Sequence, residues 1–512
     1  MIKIVLKILL IIFIVSIESQ AKAITIDVKT YGAEVNDGID DYDAIQKAIT
    51  ALDAVKNGKL IFHRGVYNIN QHKIDSNIDV QKTVRLIHKN RFKRKKEKIE
   101  IKYLNNINVK RIARKKPIRN FTFKNYTSLI IEGNGATLEF DGNWIRTADY
   151  TLSNPKYTYS RHNAIGIEVI NSKHVLIRNL ELNGNSDETV KIATTEGFSE
   201  GIMIGGSSYV QINNVYVHHY QADGLYLYAT KDAGKIKKSD HIKILNSRFK
   251  YNARQGCSIV GARYVDFDNC SFSNTGNSGM YGSHFPMAGV DIEPHEDVKG
   301  TGNVNFYKCN FNNNLGFAYV GSNAISTPYP VAFKYCTFSN SNTRYKYAAV
   351  VPSSRKTNFT HCFFNEISIW PNYGTKDKNG HVEVNVSQSK FKSRKIGQMV
   401  LLAIGNKNLR WRIEKCSFQL NATDRDNTKH RFYIANNKYV VLKSNTIEMS
   451  KEEYLSFRAK PYTKFILRNS VQSSNRWTKK TITPDIKNTR PTRSKYRVIY
   501  NNDGITILDR NI

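Results

Sequence analysis

The sequence predicts an all-β fold, a single-stranded right-handed parallel β-helix closed at its N-terminal end by a capping helix. Three observations predict it. A short frame recurs along the chain at spacings dominated by 23, 26 and 27 residues, the period of a solenoid. Within each copy apolar and polar residues alternate and then shift parity by one, as two short strands meeting at a tight corner would. One amphipathic helical segment stands just ahead of the repeats.

Composition sets the outer bounds. At 512 residues, 40% hydrophobic and 23% charged, the chain has ample material for a packed interior, which excludes intrinsic disorder. Its 30 Gly and 11 Pro are too few for a collagenous chain, and no internal stretch reaches the roughly 18 apolar residues of a membrane span. The 77 Lys and Arg against 43 Asp and Glu leave a net charge of +34. That charge suits an anionic partner, whether acidic polysaccharide, lipid surface or nucleic acid; it suits a merely lysine-rich surface equally well.

Residues 1–23 read as an export signal: Lys3 and Lys7 supply the positive end, residues 8–17 the apolar run, and Ala21-Lys22-Ala23 the cleavage site. The mature chain is expected to begin near Ile24, with no integral membrane span, and to be secreted, periplasmic or held at the cell surface. Export argues against a nucleic-acid partner and favours an acidic polysaccharide.

Next comes the helix signal, with Asp40 or Asp41 as cap and Ala44, Ile45, Ala48, Ile49 and Leu52 on one face. Such a helix would cover the unpaired backbone at the open end of a solenoid. A segment at 81–120 then interrupts the early coils with 16 Lys and Arg against two Glu. It reads as a polyanion-binding loop or as a solvated insertion.

The coils themselves follow. Five copies carry cysteine, as in "VDFDNCSF" at Cys270 and "VNFYKCNF" at Cys309, then at Cys336, Cys362 and Cys416; others put Asn179, Asn214, Asn246 and Asn269 at the corner. Asparagine tolerates the left-handed backbone a tight bend needs, and its amides can bond along a ladder. The cysteines face inward about 4.8 Å apart and read as free thiols; a disulfide between neighbours is the alternative, disfavoured by the in-register side-chain directions. The coil runs over 24–472, and 473–512 forms a basic tail or cap.

The segments "IDVKTYGAEVNDGIDDYDAIQKAI" and "GKLIFHRGVYNI" give the chain a family resemblance. They are similar to the N-terminal signature of the pectate-lyase-like superfamily of right-handed parallel β-helix proteins, departing from it at Val35 and at His63-Arg64. That superfamily includes pectate lyases, polygalacturonases, alginate epimerases and lyases, and phage depolymerases. The resemblance therefore implies the fold and a menu of glycan chemistries. In its carbohydrate-active members the outward face of one strand per coil is the substrate groove.

Here the corresponding strands open with glycine, as in "GIEV", "GIMI", "GLYLY", "GCSIV", "GVDIEPH" and "GFAYV". Alternation sends the second residue after each glycine outward: Glu168, Met203, Tyr226, Ser258, Asp291 and Ala318. Asp291 and Glu293, two apart on a strand, would project from one face about 6.5 to 7 Å apart at Cα. With Asp223, Arg254 and His295 they are the candidate catalytic residues, while Glu168, Tyr226, Tyr228 and Gln255 are candidate substrate-binding residues. "DIEPHE" is similar to the D-P-H element of alginate C5-epimerases with two residues inserted. "ADG" loosely resembles a polygalacturonase strand whose downstream elements are missing here.

The leading reading is a lyase, or related C5-uronate chemistry, on an acidic polysaccharide, with a glycoside hydrolase and a non-catalytic protein as the alternatives. A lyase or epimerase acting on a uronate polymer would use Arg254 to neutralise the sugar carboxylate and His295 or Tyr226 as base or acid. A glycoside hydrolase would use Asp291 with Glu293, or Asp223 with either. A non-catalytic glycan-binding or cell-surface protein needs neither. No cofactor is implied and the histidines lack zinc spacing; carboxylates and carbonyls would suffice for calcium, though no D-x-D-x-D-G loop occurs.

Overall fold

In the computed structural model the described residues are 23–69, 121–140, 145–146, 165–186, 190–191, 200–232, 234–276, 286–294, 298, 300–321, 329–339, 349–352, 354–369, 382–393, 409–420, 439–449, 455–458, 464–473, 495–501 and 504–510. Residues 1–22, the basic insertion 81–120 and His295 lie outside them.

The chain is a parallel β-helix. Nine short strands, one per coil, form a parallel sheet in chain order: β1 Phe121–Lys124, β2 Ile167–Ile170, β3 Ile202–Gly205, β4 Asp223–Tyr228, β5 Gln255–Ile259, β6 Ala288–Ile292, β7 Tyr319–Gly321, β8 Ala349–Val351 and β9 Ser368–Ile369. The rest of each coil contributes the pair foreseen in the repeat frame. Ala262–Asp268 and Ser271–Ser273, for example, pair in parallel with Gly302–Tyr307 and Asn310–Asn312. Parallel pairing continues to Lys464–Ser473. Leu455–Arg458, Lys495–Asn501 and Gly504–Arg510 form a separate antiparallel sheet.

The corner between the paired strands is left-handed on the described copies from Asn179 to Lys415. Asn179, Asn214, Asn246 and Asn269 have φ of 54°, 53°, 50° and 53°, and Asn214 donates to Asn179 Oδ1 and Asn269 to Asn246 Oδ1, each at 2.9 Å. Further along, Lys308, Tyr335, His361, Gln388 and Lys415 hold the same corner at 51–56°. The bend therefore demands the conformation even of residues that adopt it at a cost of about 1–2 kcal/mol.

In-register pairing turns identical positions into columns. Phe267, Phe306, Phe333 and Phe359 stack face to face with centroids 4.7, 4.7 and 4.9 Å apart. A second column runs Phe311, Phe338, Phe364, Phe391 and Phe418 at 4.8, 5.0, 4.5 and 4.6 Å. All six cysteines are free and buried. Each corner thiol reaches a carbonyl of the preceding rung, as Cys336 Sγ does Phe306 O at 3.4 Å, and burial holds Cys309 and Cys362 as thiols.

Helix α1, Tyr42–Asp53, buries Tyr42, Ile45, Ala48, Ile49 and Leu52, and Tyr42 stacks on Phe121 of β1 at 5.4 Å. Asp41 precedes the helix but does not cap it with its side chain. Its two oxygens accept instead from Glu34 N at 2.9 Å and Asn68 N at 3.0 Å, tying the "DG" turn to the first coil. The cap-like bond comes from Asp40, whose Oδ1 accepts from Tyr42 N at 3.1 Å.

Candidate functional site

The register of β1 to β8 aligns one outward column: Thr122, Glu168, Met203, Tyr226, Ser258, Asp291, Val320 and Val351. Ala318 is not in it. The frame slips at β7, where Val290 pairs with Tyr319, so Ala318 falls where other coils have glycine and packs into the core, while Val320 points out. A neighbouring column comprises Asp223, Gln255 and Ala288, with Glu200 at the same point one rung earlier.

Both columns lie outside the coil interior. Ile165, Met203, Tyr226 and Val260 form an apolar cluster separate from the core, with Tyr228 packed against it. Ala288, Val320 and Val351 form another with Phe317. Between these two clusters sits a polar one.

Its centre is Asp223, wholly buried, whose carboxylate accepts from Arg254 Nε at 2.9 Å and Nη2 at 3.1 Å in a bidentate pair. Ser258 Oγ donates to the same carboxylate at 2.7 Å. One rung on, Gln255 Nε2 donates to Asp291 Oδ2 at 2.9 Å. In both cases a residue just before the strand glycine reaches the outward residue of the next rung.

Asp291 is 3% exposed, and its Oδ1 has no hydrogen-bond partner; nor has Gln255 Oε1. Burial, then the negative charge of Glu293, push the Asp291 carboxyl up to about 8, against the opposing influence of Gln255 and Arg254. Asp291 is therefore protonated at neutral pH, a proton donor set in a sheet face. Glu293, just past the end of β6, is exposed.

The sequence-predicted residues are thus partly gathered and partly redirected. Asp223, Arg254, Gln255 and Asp291 come together. Asp291 and Glu293 are not an exposed pair, because only Glu293 meets solvent. Arg254 does not offer an open fork, since two of its donors are engaged by Asp223. Tyr226 is buried in the apolar cluster rather than laid open for stacking, and burial raises its phenol far above the neutral range. Tyr228 donates through its hydroxyl to Glu168 Oε1 at 3.0 Å, and burial raises the Glu168 carboxyl despite that bond.

Ser258 and the buried Glu200 belong to this face although neither had been assigned a role from the sequence. The signal for Glu200 was present: it precedes the strand glycine, as Asp223 and Gln255 do. Among the described residues no group of three or more metal-ligating side chains is suited to a metal ion, and no helix is long and apolar enough to cross a membrane.

Fold and site together define a parallel β-helix protein with a buried acid–amide–arginine cluster on the outer face of its short-strand sheet. No family model and no curated protein sequence matches the chain. Among solved structures it is similar to PfbA, a surface adhesin of Streptococcus pneumoniae, at 12% identity over 96% of this chain and 99% of that one, with a TM-score of 0.45. It is also similar to the A-module of the Azotobacter vinelandii mannuronan C-5 epimerase AlgE4, at 12% identity over 88% and 99%, TM-score 0.43. A third likeness is to the catalytic unit of a GH87 alpha-1,3-glucanase from Streptomyces thermodiastaticus, at 10% identity over 89% and 69%, TM-score 0.40. Likenesses this distant carry no statement about activity.

Proposed function

We propose that the chain is an exported polysaccharide-active enzyme that cleaves glycosidic bonds on the outer face of β4 to β6, with Asp291 as general acid. The observation that carries this reading is the Asp291 carboxyl itself, buried, held neutral up to about pH 8 and with one oxygen unpartnered. A buried neutral carboxyl is suited to protonating a leaving glycosidic oxygen.

Hydrolysis is the favoured form. As the C–O bond breaks, Asp291 gives its proton to the departing oxygen. Glu293, solvent-exposed and two residues on, takes the proton of the water that adds to the anomeric carbon. Asp223 and Arg254 act as positioning residues, because their charges are already matched to one another. Glu168, Tyr226 and Tyr228 shape the neighbouring stretch of floor.

Elimination is the second reading, favoured by the chain's net charge of +34 and hence an acidic polysaccharide. It also needs a leaving-group acid, but it needs in addition a cation open to the sugar carboxylate, and Arg254 is engaged. Incubation with a panel of soluble polysaccharides separates the readings. New reducing ends without the ultraviolet band of unsaturated sugars indicate hydrolysis; the band indicates elimination. No product from any polymer, or product formation unchanged in Asp291→Asn, overturns the enzymatic assignment to this face.

A further inference from the structure

We propose that the sugar unit seated over Asp291 bears hydroxyl or amino donors and no carboxylate, so that the substrate is an uncharged or amino-bearing polysaccharide. This rests on the reading that the outer face of β4 to β6 is a glycan site, and names the class of glycan it takes.

The first argument is the charge of the floor. Its acidic side chains are Glu168, Glu200, Asp223, Asp291 and Glu293, and among the described residues within two positions of strands β2 to β6 Arg254 is the one cation, Lys124 lying on the same face further along, in β1. Arg254 is closed on Asp223 by two hydrogen bonds. A uronate set on this floor would meet carboxyl groups and find its natural partner engaged.

The second argument is hydrogen-bond complementarity. Gln255 is 1% exposed and Asp291 3%, and the two unpartnered atoms, Gln255 Oε1 and Asp291 Oδ1, belong to side chains joined across adjacent rungs by the bond from Gln255 Nε2 to Asp291 Oδ2. Gln255 Oε1 can only accept, so a ligand completes it only by bringing a donor. Sugar hydroxyls and amines are donors; a uronate carboxylate is an acceptor alone.

Among the described residues, lysines sit on the hairpin of Thr230–Asp232 with Lys235–Lys237, beyond the end of β4. That surface suits polyanions in general; the floor does not.

The full chain is to be incubated with four probes, a neutral β-glucan, partly deacetylated chitosan, polygalacturonate and alginate, at low and high salt. Reducing ends, unsaturated products and retention on each immobilised polymer are read. Cleavage of glucan or chitosan is expected, reduced about 100-fold or more in Asp291→Asn and also reduced in the exposed-site variant Glu293→Gln, with circular dichroism confirming folding. Polygalacturonate and alginate are expected to be retained only at low salt, equally by wild type and both variants. Cleavage of either polyuronate that is lost in Asp291→Asn overturns the assignment of substrate class while leaving the site in place. Failure to cleave any of the four overturns both.

Discussion

Replacing Asp291 by Asn isolates the energetic consequence of burying a carboxyl on the sheet face. In the native chain that carboxyl is raised from 3.8 to about 8, whereas in the unfolded chain it titrates near its ordinary value. Above about pH 4 the unfolded chain has therefore released a proton that the folded chain still holds. Stability falls as pH rises from about 4 to about 8, and levels off beyond. By linkage a displacement of that size corresponds to roughly 6 kcal/mol between the two pH limits. Asparagine cannot ionise, and its carbonyl can keep the bond from Gln255 Nε2. The expected result is that Asp291→Asn matches wild type near pH 4 and exceeds it by roughly 5 kcal/mol at pH 8. Urea unfolding at several pH values between 4 and 8 measures this directly. A constant offset between the two proteins across that range would refute the claim that Asp291 is neutral in the folded state.

Activity on a cleaved polymer should fall as pH rises through about 8, because the donor loses its proton there, and kcat should follow it more closely than KM; a rate that keeps climbing above pH 8 contradicts the assignment of Asp291 as acid. Arg254→Ala strands the wholly buried Asp223 carboxylate and should cost about 3–5 kcal/mol in urea unfolding, with much of that loss recovered in Arg254→Ala/Asp223→Ala. Phe333→Ala opens a gap midway along a stacked column and should cost about 3–5 kcal/mol. An aromatic thiol reagent should leave all six cysteines untouched in native protein and modify all six in denaturant; rapid labelling of any in the native state contradicts their burial.

Much of the architecture was legible because a parallel coil writes its period directly into the sequence. The corner asparagines, inward cysteines and stacked phenylalanines each repeat at one position of one frame, and alternation alone sent Glu168, Met203, Tyr226, Ser258 and Asp291 to the outside. Contacts across rungs were not legible. Asp223 reaches Ser258 and Gln255 reaches Asp291 because adjacent turns bring them together with a three-residue offset along the strand, and no local pattern encodes that offset. The closure of Arg254 on Asp223 followed from the same geometry and removed the open cation that the sequence suggested. Ala318 was misplaced because one coil starts its strand two residues later than its glycine implies. Tyr226, a candidate substrate-binding residue by its outward position, is buried because alternation tells outside from inside, and outside is not the same as exposed.

The stacked phenylalanine columns have a consequence for how such a chain can change length. Removing residues 310–336 would join Cys309 to Thr337, leaving Phe306 beside Phe359 and Phe311 replaced by Phe338, so every ring would still find a ring. The excision would take β7 with it and bring Val351 next to Asp291, while the Asp223–Arg254 pair would not notice. Axial extent is thus adjustable in whole windings, and the outer face can be lengthened or trimmed without rebuilding the Asp223–Arg254 pair.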